Sequence, residues 1–183
     1  LILEDDALLS RQTPALLAWL SGMQDLDLVT LETRQRKKLI GLQGIDNAAL
    51  QVSLRPLFQD RTGAAAYVLW PAGARILLDK LKDQGMGLAD AFISSTYPLR
   101  SWQTVPALAI QADMATAYGL PCPFPSHSLI AREKVPSPPT SGLGHDLRIK
   151  GRRLKSQLKL AGRFLTCFWC ARRQHVGIDA QTF

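Results

Sequence analysis

The fold class is decided by the stretch GAAAYVLWPAGARILLDKL, residues 63–81. Small and then apolar residues over 63–70 predict a strand. Pro71 is typical of the first position of a helix, and the apolar residues behind it recur at helical spacing until Gly85. A strand that leads directly into a helix predicts an α/β fold.

Further elements are predicted on both sides of this unit. Upstream, the pattern predicts a helix over 14–21 and a strand over 26–31. Downstream, a short element over 89–93 carries a single acid, Asp90. Other strand-like segments lie at 39–42, 51–54 and 105–110.

Three adjacent acids, Glu4, Asp5 and Asp6, follow the apolar run 1–3, which we expect to be a short buried strand. Carboxylates at a strand end are the usual layout of a ligand site in an open α/β sheet. Because adjacent carboxylates repel one another, a divalent cation bound to them relieves a cost, and oxygen ligands suit Mg²⁺ or Mn²⁺. Glu4 and Asp6 are therefore the candidate metal ligands, and such a metal can clamp a diphosphate. The alternative is a solvated acidic loop.

The chain has 183 residues and a formal charge of +7, and this charge is uneven. Residues 1–146 contain 13 Lys/Arg and 14 Asp/Glu, whereas residues 147–183 contain 9 Lys/Arg and one acid. The composition excludes a disordered or collagen-like chain, and three cysteines fit a reducing compartment better than a disulfide framework. The longest apolar runs are far short of the ~20 residues of a membrane-spanning helix. The basic run 34–38 could attract a phosphorylated acceptor, or it is only solvated.

Composition also divides the chain into three parts. We expect a globular domain at 1–134, a linker rich in Pro, Gly and Ser at 135–146, and a basic tail at 147–183. Apolar residues of the tail recur every three to four positions, which predicts a basic amphipathic helix suited to an anionic membrane surface through 147–173. The alternative is a helix docked on the globular domain. No recognition motif favours nucleic acid as a partner.

Several segments, in this order, resemble glycosyltransferase family 25, the lipopolysaccharide and lipooligosaccharide galactosyltransferases. The run LILEDDA resembles the "EDD" signature of that family, and GAAAYV resembles its "GTAAY" strand. The resemblance extends over about residues 1–134. Its other segments are 27–32, 72–78, 88–92 and 105–111. Family members carry a further βαβ region before "EDD", so we expect an N-terminally truncated chain that forms a partial GT-A type domain.

The resemblance implies an activity and a location. Members of the family transfer galactose or another hexose, with inversion, from a UDP-sugar to a lipopolysaccharide or other glycan acceptor, using Mn²⁺ or Mg²⁺. Glu4, Asp5 and Asp6 match the position that binds the donor diphosphate and metal. The implied location is cytoplasmic, peripheral at the inner-membrane cytoplasmic face.

Inverting transfer also needs a general base for the acceptor hydroxyl. Asp90 is the first candidate because it is an isolated acid among apolar neighbours, where we expect burial. Asp113 is the second candidate. Two other functions stay open: a non-catalytic, membrane-peripheral remnant of such an enzyme, and a Mg²⁺-dependent phosphohydrolase that uses the three acids.

Overall fold

The computed structural model describes residues 1–59, 63–85, 87–121 and 169–183, together with Gly162 and Cys167. The chain divides into two compact units, Leu1–Phe124 with Cys170–Phe183, and Pro125–Trp169. Only three residues of the second unit are described, so the account below concerns the first unit. The predicted linker 135–146 lies outside the described residues, as does most of the predicted amphipathic segment 147–173.

The described residues of the first unit form three α-helices and ten strands. The helices are α1 (Thr13–Ser21), α2 (Pro71–Gln84) and α3 (Ala89–Ser94). The strands are β1 (Ile2–Leu3), β2 (Ala7–Leu9), β3 (Leu28–Thr30), β4 (Lys37–Gly41), β5 (Ile45–Asn47), β6 (Val52–Gln59), β7 (Ala66–Leu69), β8 (Ser101–Val105), β9 (Ala109–Gln111) and β10 (Ala171–His175).

Eight of the described strands form one mixed sheet in the order β1-β7-β3-β8-β6-β4-β10, with β5 paired to β6. β3 and β8 are parallel, with Val29 opposite Trp102, and the other neighbours in the sheet are antiparallel. β2 and β9 form a separate antiparallel pair. The prediction of an α/β fold is therefore confirmed.

The unit that decided the fold class is present as predicted. β7 leads through Trp70 into α2, which has proline at its start as the sequence indicates. Gly73 of α2 packs against the backbone of Asp27, the residue before β3. A Cβ at position 73 would be 2.3 Å from the carbonyl oxygen of Asp27. The indole nitrogen of Trp70 donates to the carbonyl oxygen of Met23 at 2.8 Å, which ties the junction to the end of the α1 segment.

The core forms where α1 packs on the central strands. Leu16 and Leu20 of α1 are at most 1% exposed and pack in one cluster with Val29, Leu31 and Leu54. Burial of apolar side chains on this scale is the main stabilising contribution in a domain of this size. The helix predicted over 14–21 is confirmed.

Two strand predictions differ from the structure. The segment predicted as one strand over 105–110 is divided into β8 and β9, because Pro106 has no N–H to donate to a ladder and interrupts the pairing. Residues 1–3 were expected to be buried, but Ile2 and Leu3 are 42% and 45% exposed. They pair with β7 alone, at the edge of the sheet.

The end of the chain also differs from the predicted tail. Residues 147–183 were interpreted as one basic tail, but Cys170–Phe183 belongs to the first unit. Ala171 to His175 pair as β10 with β4 in an unbroken antiparallel register. Backbone hydrogen bonds to a strand far upstream hold these residues in the sheet, beyond the apolar positions that predicted the helix. Among the described residues, none of the helices has the length and apolarity that a bilayer crossing requires.

Candidate functional site

The three adjacent acids form a turn between β1 and β2, and backbone hydrogen bonds hold both of its ends. The Glu4 N–H donates to the carbonyl oxygen of Ala65 at 2.8 Å, and the Ala7 N–H closes the turn on the Glu4 carbonyl at 3.3 Å. The Ala112 N–H donates to the carbonyl oxygen of Asp6 at 2.9 Å. The turn is therefore attached to β7 on one side and to the end of β9 on the other.

The carboxyl group of Glu4 lies where several parts of the chain meet. Its Oε2 accepts a hydrogen bond from Nε2 of Gln111 at 2.8 Å. Burial raises the pKa of Glu4, and the charges of Asp90, Asp6 and Asp5 raise it further, while the Gln111 hydrogen bond opposes them. The charge of Asp90 thus acts on Glu4 although 86 positions separate the two residues in the sequence.

Asp90, the first candidate base, lies in the first turn of α3. It is exposed, so the expectation of burial is wrong. Ile93 is the buried residue of α3, and Asp90, three positions earlier on the same side of the helix, lies in the first turn and remains exposed. Exposure leaves the carboxylate open to a ligand from solvent, as a base for an acceptor hydroxyl needs to be.

Asp113, the second candidate base, follows β9 in a short 3₁₀ helix and is paired with a cation. Its Oδ2 accepts from Nη2 of Arg34 at 2.7 Å, and the two side chains are 51% and 38% exposed. Nη1 of the same arginine donates to Oε1 of Gln111, the residue that also binds Glu4. Asp113 is therefore linked to Glu4 through two intervening side chains, with one oxygen engaged by Arg34.

Glu32 is a buried acid at this site that the sequence analysis did not single out. It is 1% exposed, and its Oε2 accepts from the Ala65 N–H at 2.9 Å. The carbonyl oxygen of Ala65 accepts the Glu4 N–H, so Glu32 and Glu4 are held by one residue. Oε1 of Glu32 has no hydrogen-bond partner among the described residues.

The charge of Asp90 raises the pKa of Glu32 as well as that of Glu4. Burial raises the pKa of Glu32, with a further rise from Asp90, whereas the Ala65 hydrogen bond and the charges of Lys38 and Arg34 oppose this. The signal in the sequence was an acid directly after an apolar strand and separated by one residue from a basic run. That pattern is common at strand ends, so only the contact with Ala65 makes Glu32 notable.

The basic run 34–38 is divided by the fold rather than forming one loop. Arg34 is ion-paired, and Lys38 is 3% exposed and donates from Nζ to the carbonyl oxygen of Glu32 at 2.8 Å. Arg36 and Lys37 are exposed. Two cations of the predicted anion-attracting segment therefore remain at the surface.

The acidic turn can hold a cation only if a bound ligand, such as a diphosphate, supplies some of the oxygen atoms around the metal ion. The part of the chain that the structure describes contains no group of three or more His, Cys, Asp or Glu side chains that could hold a metal ion. Asp6 nevertheless has a buried Oδ1 without a hydrogen-bond partner among these residues. Mg²⁺ is commonly bound by one or two carboxylates together with substrate phosphates. Glu4 and Asp6 fit that arrangement.

Comparison with known proteins adds no assignment to this site. No family model, curated protein or solved structure matches the chain. The site is therefore characterised by its own residues: a fixed acidic turn, an exposed acid on α3, and a buried acid joined to the turn through Ala65.

Proposed function

We propose that this chain is a metal-dependent inverting glycosyltransferase with a GT-A type domain. It transfers galactose or another hexose from a UDP-sugar to a lipopolysaccharide or other glycan acceptor. The proposal draws its reaction from the resemblance to glycosyltransferase family 25 and its support from the arrangement of the acids.

One observation carries the proposal: the segments that resemble the family meet at one place. The acidic turn bonds through Glu4 to Gln111, the last residue of the late resembling segment. It is joined to Ala65 of the "GTAAY"-like strand. Asp90 of the short helix acts on both Glu4 and Tyr67 of that strand. Segments spread over about a hundred residues are brought together around carboxylates, as a catalytic site requires.

The residues have separate roles in this reaction. Glu4 and Asp6 would hold a Mn²⁺ or Mg²⁺ ion together with the donor diphosphate, with Asp5 beside them. When bound, that ion stabilises the negative charge of the departing diphosphate. A cation at the turn also offsets the repulsion that raises the pKa of Glu4.

Asp90 acts as the general base in the proposal. Its exposed carboxylate accepts the proton of the acceptor hydroxyl as the oxygen attacks the anomeric carbon and the diphosphate leaves. Gln111 positions Glu4 through the 2.8 Å hydrogen bond, and Glu32 positions the turn through Ala65. Asp113 is the less suitable base because Arg34 already binds one of its oxygens.

The proposed acceptor lies at a membrane, so we include an anionic membrane surface as a partner through 147–173. That segment contains nine Lys/Arg and no Asp/Glu, whereas the whole chain has a formal charge of +7. Arg36 and Lys37, exposed at the start of β4, would add to the attraction. The corresponding location is cytoplasmic, peripheral at the inner-membrane cytoplasmic face.

The decisive experiment measures donor binding and donor turnover by the full chain. UDP binding with Mn²⁺ is followed by calorimetry, and release of UDP from UDP-galactose is followed with and without Mn²⁺. We expect Glu4→Gln and Asp6→Asn each to weaken Mn²⁺-dependent UDP binding by about tenfold or more, since a charge-assisted contact is lost in each. Asp83→Asn, which changes an exposed acid of α2, is the matched control and should bind UDP as the unaltered chain does.

Three results would contradict the proposal. A folded chain that binds neither Mn²⁺ nor UDP favours the non-catalytic remnant. Hydrolysis of simple phosphomonoesters without any sugar nucleotide favours the phosphohydrolase. Equal loss of UDP binding in Asp83→Asn would show that the effect of the other variants is not specific to the acidic turn.

A further inference from the structure

A cavity of about 280 Å³ lies between α2 and α3, beside β7. Leu77 and Leu81 of α2, Ala89 and Phe92 of α3, and Tyr67 of β7 contribute to its lining. This volume is just below the range of about 300–1,000 Å³ for small-molecule sites, so the cavity suits a single ring rather than an extended ligand. The lining is apolar and contains two aromatic rings.

The walls of the cavity are held in place by a lysine. Nζ of Lys80 in α2 donates to the carbonyl oxygen of Phe92 at 2.7 Å and to Oγ1 of Thr96 at 2.9 Å. The same ammonium lies 4.4 Å from the centre of the Phe92 ring. These contacts tie α2 to α3. The cavity is therefore formed before a ligand arrives, which reduces the entropic cost of binding.

Tyr67 connects this cavity to the acidic site. Burial raises the pKa of the Tyr67 phenol, and the charges of Glu4 and Asp90 raise it further. Tyr67 pairs with Ile2 of β1, and the Glu4 N–H binds the Ala65 carbonyl oxygen, so the acidic turn begins beside this part of β7. No described residue forms a hydrogen bond with its hydroxyl group. Asp90 also directly follows Ala89, which lines the cavity. The apolar cavity thus has a tyrosine in its lining and an exposed acid, Asp90, next to a lining residue in the sequence.

We propose that this cavity binds a hexose ring of the acceptor glycan. The apolar face of a pyranose packs against the rings of Tyr67 and Phe92, and its hydroxyls bind the Tyr67 hydroxyl and the Asp90 carboxylate. This inference rests on the proposed function and deepens it, because it names the substrate class that is held beside the general base.

The chemistry at the rim selects among ligands. Ionised carboxylates only accept hydrogen bonds, so they suit the hydroxyl groups of a neutral sugar and repel phosphate groups. Without a metal ion to bridge the charges, the donor diphosphate is therefore disfavoured beside Asp90. An acyl chain would fill the apolar cavity. It would also cover the Tyr67 hydroxyl and the Asp90 carboxylate without giving them hydrogen-bond partners, which costs free energy.

Filling the cavity tests the inference. Binding of methyl β-galactoside and methyl β-glucoside to the full chain is titrated by NMR, and Mn²⁺-dependent UDP binding is measured in parallel. We expect Ala89→Phe to weaken glycoside binding about tenfold or more while UDP binding stays unchanged, because the new ring occupies the space of the sugar. Ala91→Phe, on the exposed face of the same helix and outside the cavity lining, should change neither.

A second variant covers the case in which Ala89→Phe does not fold. Tyr67→Phe keeps the ring and removes only the hydroxyl group, and we expect it to weaken glycoside binding by about three- to tenfold, the worth of one hydrogen bond. A chain that binds neither glycoside, glycoside binding that is unaltered in both variants, or displacement of the glycosides by octanol would overturn the inference. Absence of Mn²⁺-dependent UDP binding in the unaltered chain would instead contradict the proposed function.

Discussion

A buried acid lies near each end of the central strand β3, and the two acids differ in how they are satisfied. Asp27 comes directly before the strand and Glu32 two residues after it, and they are 2% and 1% exposed. Burying a carboxylate costs free energy unless partners compensate it. The two ends of β3 therefore solve the same problem in different ways.

At the Asp27 end the compensation is complete. Oδ2 of Asp27 accepts from the backbone N–H of Arg100 at 2.9 Å and from its Nε at 3.1 Å, and Oδ1 accepts from Nη2 at 3.2 Å. Burial alone would raise the pKa of Asp27, but the hydrogen bonds and charge of Arg100 outweigh it and hold the pKa below its ordinary value. This acid fixes the start of β3 to the start of β8.

At the Glu32 end the compensation is partial. One carboxylate oxygen accepts a single backbone hydrogen bond, the other has no partner among the described residues, and burial raises the pKa. The acidic turn and Asp90 lie at this end. At one end of β3, Asp27 has hydrogen-bond partners for both carboxylate oxygens, and this end contributes to stability. At the other end, the Glu32 carboxyl group has only part of its hydrogen bonds, and this is the end where a ligand is proposed to bind.

The largest expected effect comes from Gly73, which lies against Asp27. Gly73→Ala should lower the free energy of unfolding by about 3 kcal/mol, because its Cβ would be 2.3 Å from a backbone carbonyl oxygen that cannot move without the strand. Chemical denaturation measures the change.

Gly63 provides the matched substitution at the other end of β3. A Cβ there would be 2.7 Å from Oε2 of Glu32, and its φ of +110° disfavours alanine. We expect Gly63→Ala to cost less than Gly73→Ala, since the Glu32 side chain can shift. A larger loss for Gly63→Ala would show that the Glu32 end is the more rigid of the two.

The second effect concerns the Asp27–Arg100 pair. Asp27→Asn should lower the free energy of unfolding by about 2 kcal/mol at neutral pH, because charge-assisted hydrogen bonds in a buried position are lost. The folded-state pKa is below the unfolded value, so this stability is present above pH ~3.9 and is lost as the pH falls through the folded pKa. Unfolding curves from pH 2 to 7 measure it, and the low-pH difference between the two chains should vanish. A difference that persists unchanged at pH 2 would contradict the assignment.

The third effect is a small increase in the free energy of unfolding when Glu32 is neutralised. The pKa of Glu32 is raised in the folded state, so folding favours its protonated form and stability falls as the pH rises from ~4.3 through the folded pKa. Glu32→Gln keeps an oxygen for the Ala65 N–H and removes the charge, and we expect it to stabilise the chain above that window. Loss of stability in Glu32→Gln at pH 7 would mean that the ionised carboxylate has partners after all.

The comparison also shows what the sequence could predict. The strand and helix of 63–81 and the helix over 14–21 follow from local periodicity and proline positions, and they are present. β10 was missed because its basic residues resemble a solvated helix, while the structure pairs them with β4 far upstream. Backbone pairing between distant strands leaves little trace in a single sequence.

The candidate site shows the same limit. Glu4 and Asp90 stood out because isolated or adjacent acids are visible in the sequence. Glu32 did not, because its importance comes from a hydrogen bond to Ala65, 33 positions away. The exposure of Asp90 likewise depends on how the first turn of a six-residue helix meets the rest of the fold, which those six residues alone do not determine.

The smallest expected effect tests the surroundings of Glu32. Arg34 lowers the pKa of Glu32 by its charge, and Asp113 neutralises that charge at the surface. Asp113→Asn should change the free energy of unfolding by only about 0.5 kcal/mol, because the Arg34 and Asp113 side chains are 38% and 51% exposed and solvent screens the pair.

Asp113→Asn also tests which acid is the general base. With Asp113 neutral, Arg34 acts more strongly on Glu32, so the fall of stability with rising pH should become shallower than in the unaltered chain. Hexose transfer should persist in Asp113→Asn and be lost in Asp90→Asn, measured as UDP release with acceptor present. Loss of transfer in Asp113→Asn alone would assign the base to Asp113. It would also place the proton acceptor on the Gln111 side of Glu4 and not on the Asp90 side, because Asp113 is linked to Glu4 through Arg34 and Gln111 among the described residues.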